Sequence, residues 1–235
     1  MASPHDGHRQ RMRNRFSAGG FESFSPHEVL EYLLYFTIPY GDTNETAHRL
    51  IAHFGSLSGV LEAGFEELCA VQGVGPKSAR LLSCIPELTR AYCADLQSKG
   101  TVLDTPQRMR EYLAPLFLGV KEEQFYAVCL DGKRRVLHCS RLNEGTIDRV
   151  HVDMRAMMEL VLRVGATGLI LAHNHPVQFA VPSNDDVVVT RYIASVLRSV
   201  SVKLVDHWIF SRDDCISMRK SGYFAQIDSP RAETD

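Results

Sequence analysis

Residues 168–172, GLILA, form an uninterrupted apolar run between two segments with helical periodicity. The run is too short for a typical buried helix and offers no polar side chain to solvent, so it predicts a strand buried on both faces. A strand of that kind needs a layer of helices on each side of its sheet. The second half of the chain is therefore predicted to fold as a layered α/β domain.

The segments around this run alternate between strand and helix patterns. Residues 124–142 contain two apolar stretches separated by an Asp131-Gly132 turn, and they predict a pair of strands. The sequence VKLVDHWIF at 202–210 predicts a further strand. Helices are predicted for PQRMREYLAPLF at 106–117, for about 153–164 and for the residues after Pro182.

The first hundred residues contain no strand pattern and predict a helical domain. The segment SPHEVLEYLLYF opens with a Ser25 N-cap and has Glu28 three residues later, which is a capping box. A polar stretch bracketed by Gly100 and Pro106 suits a linker. We therefore expect a helical domain over residues 1–100 and an α/β domain over 101–235.

The charge distribution limits how the chain can contact nucleic acid. The formal net charge is -2, so any such contact must be local and not driven by a global basic field. Arg9, Arg11, Arg13 and Arg15 near the N-terminus have two interpretations, a phosphate-seeking arm or a terminus that is solvated or capped by a partner. The sequence favours the second because no aromatic residues are interleaved with the arginines.

Targeting and redox signals are weak. No apolar run approaches the roughly 18 residues needed to cross a bilayer, and the N-terminus lacks the apolar core of a signal peptide. The sequence predicts a soluble cytoplasmic protein with no membrane partner. The six cysteines contain no Cys-x-x-Cys pair and lie among apolar residues, so we expect buried reduced thiols.

The stretch AVQGVGPKSARLL, at 70–82, places Gly73 and Gly75 between two predicted helices. Successive amides beside a helix N-terminus can bind phosphate, and Lys77 could add a positive charge. The pattern resembles the helix-hairpin-helix element, which contacts the sugar-phosphate backbone of DNA without reading bases. The alternative is a glycine-rich turn that only packs two helices together.

Two histidines follow the buried run directly, and an aspartate lies further on. Alternate residues of a strand point to one face with Cα atoms roughly 6.6 Å apart, so the imidazoles of His173 and His175 can reach one ion. Zinc accepts His nitrogen and Asp oxygen ligands, and a catalytic zinc site has three protein ligands. Asp186 would be the third ligand.

A simpler interpretation is also available for part of this pattern. Ser183 and Asp186 fit a capping box at the start of an apolar helical segment, and two histidines at a strand end could bond only to backbone in a loop. Capping does not explain the paired histidines, however. We therefore favour a metal site over the capping interpretation.

The spacing of these residues resembles a known motif. His173, His175, Ser183 and Asp186 have the spacing of the JAMM metalloprotease motif of MPN domains. The chain from about residue 7 to 224 is also similar to the bacterial RadC family. That resemblance is carried by GHRQRMRNRF, SPHEVLEYLLYFTIPYGDTNETAHRLIAHFGSL, EGTIDRVHVDMRAMMELVLRVGAT, LILAHNHP and LVDHWIF.

The resemblance implies both a fold and an activity. It implies a JAMM/MPN-like mixed sheet flanked by helices, preceded by an N-terminal all-α helix-hairpin-helix domain. It also implies a zinc-dependent hydrolase that cleaves a peptide or isopeptide bond in a protein or peptide substrate, whose identity the sequence does not give.

The resemblance assigns roles to two further side chains. The motif requires a glutamate at the start of an earlier strand, and Glu123 fills that place, with Glu122 and Glu144 as weaker candidates. Glu123 would act as general base toward the attacking water. Ser183 would donate a hydrogen bond to the developing oxyanion.

Two other features bear on the site. Val177, Gln178 and Phe179 stand where the RadC pattern usually has Ser-Gly after HNHP, which leaves the loop geometry and substrate access open. Asp206 and His207 also match the family, and we expect them to support the site from the last core strand.

Three functions from different classes remain in competition. The first is the zinc-dependent hydrolase, and the second is a DNA-binding, DNA-repair-associated protein with a secondary metal site and no sequence specificity. The third is a non-catalytic MPN-type scaffold, which the intact set of predicted ligands disfavours.

Overall fold

The computed structural model describes residues 4–96, 100–142, 152–177 and 179–228. Glu144 and Gln178 lie outside the described residues. The chain divides into two compact units, 1–91 and 92–235. The domain boundary at residue 100 remains a prediction.

The N-terminal unit is helical throughout its described part. Its elements are α1 (Pro4–Gly19), α2 (Pro26–Leu34), α3 (Asn44–Phe54), α4 (Leu57–Leu61), α5 (Phe65–Cys69) and the first turns of α6 (Pro76–Leu96). The backbone N–H of Ser25 donates to Glu28 Oε2 at 2.9 Å, as the capping-box prediction requires. Helix α1 was not predicted, because its like-charged arginines disfavour an isolated helix.

Two of the four arginines of α1, Arg9 and Arg15, make hydrogen bonds to other residues of the N-terminal unit. The Arg9 guanidinium donates to the carbonyl oxygens of Ile38, Pro39 and Gly41. Arg15 Nη1 donates to Glu28 Oε1 at 2.6 Å, and the hydrogen bond with Arg15 lowers the pKa of Glu28 to about 2. Arg9 and Arg15 are therefore bonded within their own unit, which neither interpretation of these arginines predicted.

The C-terminal unit contains a five-stranded mixed sheet. Its strands are β1 (Phe125–Leu130), β2 (Val136–Arg141), β3 (Gly168–Asn174), β4 (Lys203–Phe210) and β5 (Cys215–Ser217), in the order β2-β1-β3-β4-β5. Only the β3–β4 pair is parallel among the pairs described, and the other three are antiparallel. The short strand β5 was not predicted.

Helices cover both faces of this sheet. They are α7 (Pro106–Leu113), which runs into a 3-10 turn, α8 (Met154–Arg163), α9 (Asn184–Ser199) and α10 (Phe224–Ile227). Leu169 and Leu171 of β3 lie in the apolar cluster formed with α8, α9 and α10, whereas Ile170 and Ala172 lie in the cluster formed with α7. The predicted α/β fold with a mixed sheet flanked by helices is therefore confirmed, including the doubly covered central strand.

The cysteines are all free thiols, as predicted, and burial raises the pKa of Cys129 to about 12. Burial holds in full only for Cys129, because Cys69, Cys93, Cys139 and Cys215 are partly exposed, and it is wrong for Cys84, which is exposed on α6. No helix in the described part of the chain is long and apolar enough to cross a membrane.

Candidate metal centre

The two predicted histidine ligands lie at the C-terminal end of the central strand. His173 is in β3 and His175 follows it directly, and their exposed fractions are 1% and 9%. Their side chains continue the face that carries Leu169 and Leu171, because alternate residues of a strand share a face. The His175 backbone N–H donates to Phe210 O at 2.7 Å, which extends the β3–β4 pairing past the end of β3.

Helix α9 brings Asp186 to the same place. Asp186 Oδ1 lies 3.2 Å from His173 Nε2, and Asp186 Oδ2 lies 3.5 Å from His175 Nε2. The two imidazole Nε2 atoms are themselves 2.9 Å apart. The ring nitrogens of His173 and His175 therefore converge on one point with the carboxylate of Asp186, which lies more than ten residues further along the sequence.

The separations between these atoms suit a metal ion. A tetrahedral metal with bonds of about 2.0–2.2 Å holds its ligand atoms roughly 3.3 Å apart. The two histidine Nε2 atoms are 2.9 Å apart, and they lie 3.2 Å and 3.5 Å from different oxygens of the Asp186 carboxylate. Ring nitrogens that face each other and a carboxylate at such distances favour a cation between them. The chemistry of the donor set therefore fits a metal ion.

The capping interpretation of Asp186 is correct, and it does not compete with metal binding. Ser183 donates to Asp186 Oδ2 through its backbone N–H and through its hydroxyl, both at 2.7 Å, and the Asp186 N–H donates back to Ser183 Oγ at 3.1 Å. The same carboxylate presents its oxygens to both histidines. One side chain thus caps α9 and joins the candidate centre, so the two interpretations are not alternatives.

The pKa of two groups responds to this arrangement. Burial acts to raise the pKa of Asp186, but the contacts of its carboxylate with His173, His175 and Ser183 outweigh burial and hold that pKa well below its ordinary value. The hydrogen bond with Asp186 raises the pKa of His175, although burial opposes that effect. Asp186 is therefore a carboxylate in the neutral pH range, which is the form that a metal ligand requires.

Glu123 is close to the two histidines. It is exposed, and one of its carboxylate oxygens lies within 4.8 Å of a ring nitrogen of each histidine. The segment that carries it is fixed by Asn174, whose Nδ2 donates to Glu122 O at 3.0 Å and whose Oδ1 accepts from Gln124 N at 2.8 Å. Asn174 thus holds the backbone on both sides of Glu123 from its place between the two histidines.

A chain of hydrogen bonds runs behind the candidate centre. His173 Nδ1 lies 2.8 Å from His207 Nε2, and His207 Nδ1 lies 2.6 Å from Thr190 Oγ1. The Thr190 hydroxyl donates to the backbone carbonyl of Asp186 at 2.5 Å. His207 has no exposed surface, and its burial holds its pKa well below the ordinary value.

Asp206 and His207, which were expected to support the site, have different roles. The His207 ring faces the candidate centre, whereas Asp206 accepts from Ser217 Oγ, Arg219 N and His207 N. Asp206 thereby ties β4 to β5 and to the turn that follows it. Burial raises the pKa of Asp206, although these hydrogen bonds oppose that effect.

Val177 and Phe179, which follow HNHP, do not fill the site. Val177 is 96% exposed and Phe179 is 87% exposed. The Phe179 carbonyl oxygen lies 3.3 Å from His175 Nδ1, so this loop is attached to the second histidine by its backbone. The departure from the Ser-Gly pattern therefore adds apolar surface to the loop that follows His175.

The residues predicted to contact DNA lie in the N-terminal unit. Gly73, Gly75 and Lys77 are exposed, and α6 begins at Pro76, as expected. Gly73 has φ +93°, and an added Cβ would lie 2.6 Å from Thr46 Oγ1, whereas nothing lies within 4 Å of a Cβ added at Gly75. The first glycine is therefore needed for the fold, and the second leaves open space beside the helix start.

Sequence reasoning missed two residues of this arrangement. Asn174 is the middle residue of the HNH tripeptide, and its position between two candidate ligands was a usable signal. Thr190 lies four residues after Asp186, on the same face of a predicted helix, but nothing in the sequence indicated that this face meets His207.

A mixed sheet that carries paired histidines beside the capped start of a helix is the arrangement expected of a JAB/MPN-like domain. The chain belongs to the RadC-like JAB domain family, whose model matches residues 103–223. It is 33% identical over 213 residues to a UPF0758 protein of Photobacterium profundum, and the match covers 91% of this chain and 95% of that protein. It is also 32% identical over 224 residues to a UPF0758 protein of Fusobacterium nucleatum subsp. nucleatum, covering 92% and 96%. The resemblance to the RadC family is thereby confirmed.

Proposed function

We propose that this protein is a zinc-dependent hydrolase that cleaves an amide bond in a peptide or isopeptide. The observation that carries the proposal is the convergence of His173, His175 and Asp186 within 3.5 Å of one another. Membership of a JAB domain family supports it, because such domains are typically metal-dependent. The mixed nitrogen and oxygen donor set favours zinc over magnesium or calcium, which prefer oxygen ligands.

Each side chain of the site has a place in this proposal. Zinc bound at His173, His175 and Asp186 would polarise the scissile carbonyl and make a coordinated water more acidic. Glu123 is in reach of that space, and it would take a proton from the attacking water and return it to the leaving amine. Asn174 would hold Glu123 in place through the backbone of Glu122 and Gln124.

Ser183 would stabilise negative charge on the substrate oxygen. Its hydroxyl donates to Asp186 Oδ2 in this structure. The residue is exposed at the start of α9, so a rotation about its side chain would direct the proton toward a bound substrate. A donor so placed acts on the charge that develops during attack on a carbonyl.

The proposal is tested by removing and restoring the metal. We expect protein stripped with a chelator to lose cleavage of a mixed peptide and isopeptide library, and we expect zinc, but not magnesium, to restore that cleavage. Mass spectrometry of the library products provides the measurement, and circular dichroism checks that the stripped protein stays folded. Undiminished cleavage by the stripped protein would contradict the proposal.

We also propose that the glycine turn contacts DNA without sequence specificity. The observation that favours this second function is the open space at Gly75, next to Lys77 and the start of a 21-residue helix. Exposed amides at such a position can bind phosphate oxygens. Near-neutral charge elsewhere would make this binding weak and dependent on salt.

The DNA proposal predicts an effect of charge at Gly75 and little effect of size. We expect Gly75→Asp to weaken binding of duplex DNA at low salt by about fivefold or more, because a carboxylate would lie beside the phosphates. Gly75→Asn is the matched neutral control and should bind more tightly than Gly75→Asp. Fluorescence anisotropy with labelled DNA measures both variants. Equal affinities, or no binding by the wild type, would leave the hairpin as a packing element.

A further inference from the structure

We propose that His207 and Thr190 are positioning residues that hold the His173 ring in the tautomer required of a metal ligand. The inference rests on the metal site of the proposed function, but it concerns groups that contact neither substrate nor metal. It follows from the number of protons that each member of the buried hydrogen-bond chain can donate.

Thr190 determines which group donates in each hydrogen bond of this series. A carbonyl oxygen can only accept, so the Thr190 hydroxyl must donate its one proton to Asp186 O, which lies 2.5 Å away. The hydroxyl oxygen can then only accept from the His207 ring, whose Nδ1 lies 2.6 Å away. His207 therefore carries a proton on Nδ1.

The second step passes through the His207 ring. The residue is completely buried, and no carboxylate oxygen in the described part of the chain is hydrogen-bonded to its ring. A buried imidazole without such a partner is neutral, because an uncompensated buried charge is unfavourable. With its proton on Nδ1, His207 presents a lone pair at Nε2 and accepts a hydrogen bond from His173 Nδ1, 2.8 Å away.

The result at His173 is a proton on Nδ1 and a lone pair on Nε2. That Nε2 atom is the one that faces Asp186 and His175, so the chain leaves it free to bind a metal ion. His175 reaches the same state through a different partner, because its Nδ1 faces the Phe179 carbonyl. The two candidate ligands are thus oriented independently. His173 is held by the side chain of His207, and His175 is held by the backbone of the loop that contains Phe179.

The hydrogen-bond chain also links the backbone of Asp186 to the side chain of His173. It begins at the main chain of Asp186 in α9, crosses β4 at His207 and ends at His173 in β3. The helix that supplies the carboxylate and the strand that supplies the imidazole are therefore held together at the candidate centre. A partner of this kind orients the ligand ring and fixes its tautomer.

The test separates hydrogen bonding from packing at Thr190. Thr190→Val keeps the shape and removes the hydroxyl, whereas Thr190→Ser keeps the hydroxyl. Ile193 is a buried residue of the same helix that takes no part in the hydrogen-bond chain. Ile193→Val removes one methylene there and serves as the control for packing loss. Zinc affinity is measured by competition with a chromophoric chelator, and the His173 tautomer is measured by imidazole nitrogen NMR on metal-free protein.

We expect Thr190→Val to weaken zinc binding by about 10- to 100-fold, the range found when the hydrogen-bond partner of a ligand is lost. The NMR spectrum should show His173 with its proton on Nδ1 in the wild type and a growing population with the proton on Nε2 in Thr190→Val. Thr190→Ser should restore both properties. Ile193→Val should change neither, even where its thermal stability falls as far as that of Thr190→Val.

His207 provides a second pair of variants. His207→Gln places an amide oxygen where Nε2 was, so it should keep the His173 tautomer and most of the zinc affinity, whereas His207→Phe should lose both. An unchanged His173 tautomer in Thr190→Val would overturn the proposal, whatever happens to affinity. Because the tautomer is observed without metal or substrate, that failure is distinguishable from failure of the hydrolase proposal, which the stripped-protein assay reports.

Discussion

Replacing Asp186 with asparagine is expected to abolish zinc binding while leaving helix α9 capped. The asparagine carbonyl can still accept from the backbone N–H and the hydroxyl of Ser183, so most of the capping box survives. The negative charge that faces His173 and His175 is lost, however. Two imidazoles and a neutral amide make a much poorer zinc site than two imidazoles and a carboxylate.

The matched control is Ser183→Ala. This variant removes the hydroxyl that accepts from Asp186 N, so it should cost about 1 kcal/mol of stability and leave zinc in place. Elemental analysis and thermal melts on both variants separate capping from metal binding. Zinc at the wild-type level in Asp186→Asn, with only lower stability, would show that the carboxylate is a cap and nothing more.

The double task of Asp186 explains why the sequence left two interpretations open. A capping box and a metal ligand both call for a carboxylate at this position, and the letters Ser-x-x-Asp cannot show which groups lie opposite its free oxygens. That information is tertiary, because His173 and His175 reach the carboxylate only through the packing of α9 on the sheet.

The elements with strong periodicity could be predicted from the sequence, and the weakly patterned ones could not. The run GLILA predicted β3 because a buried strand needs apolar residues on both faces. Helix α1 was missed because its stability comes from contacts such as Arg9 with the carbonyls of the loop after α2, and not from its own residues. Strand β5 has only three residues, Cys215–Ser217, and too little pattern to be recognised.

The residues of the site that the sequence missed depend on tertiary structure, Asn174 on strand pairing and Thr190 on the packing of α9 against the sheet. Strand β3 pairs with β1 and β4, which places Asn174 beside the segment of Glu123 and His173 beside His207. Neither neighbour can be inferred from residue spacing. The sequence therefore predicts the residues that could bind a metal and, through the family resemblance, His207 as a supporting residue, but it does not predict the roles of Asn174 and Thr190.

Glu123→Gln separates the two roles that a carboxylate near the histidines can have. The glutamine side chain has nearly the same shape and no charge, so a general base would be lost without a change in packing. We expect zinc content and thermal stability to stay at the wild-type level while library cleavage falls by more than about a hundredfold, within the range that general-base catalysis supplies.

The alternative is that Glu123 is itself a ligand, because one of its oxygens lies within 4.8 Å of a ring nitrogen of each histidine. Loss of zinc from Glu123→Gln would support that alternative and exclude the role as base. Glu122→Gln is the matched control, since it removes an adjacent carboxylate while keeping the carbonyl that accepts from Asn174. If Glu122→Gln loses cleavage and Glu123→Gln does not, the base is Glu122. If both variants cleave as fast as the wild type, neither is the base, and Glu144 is the next residue to test.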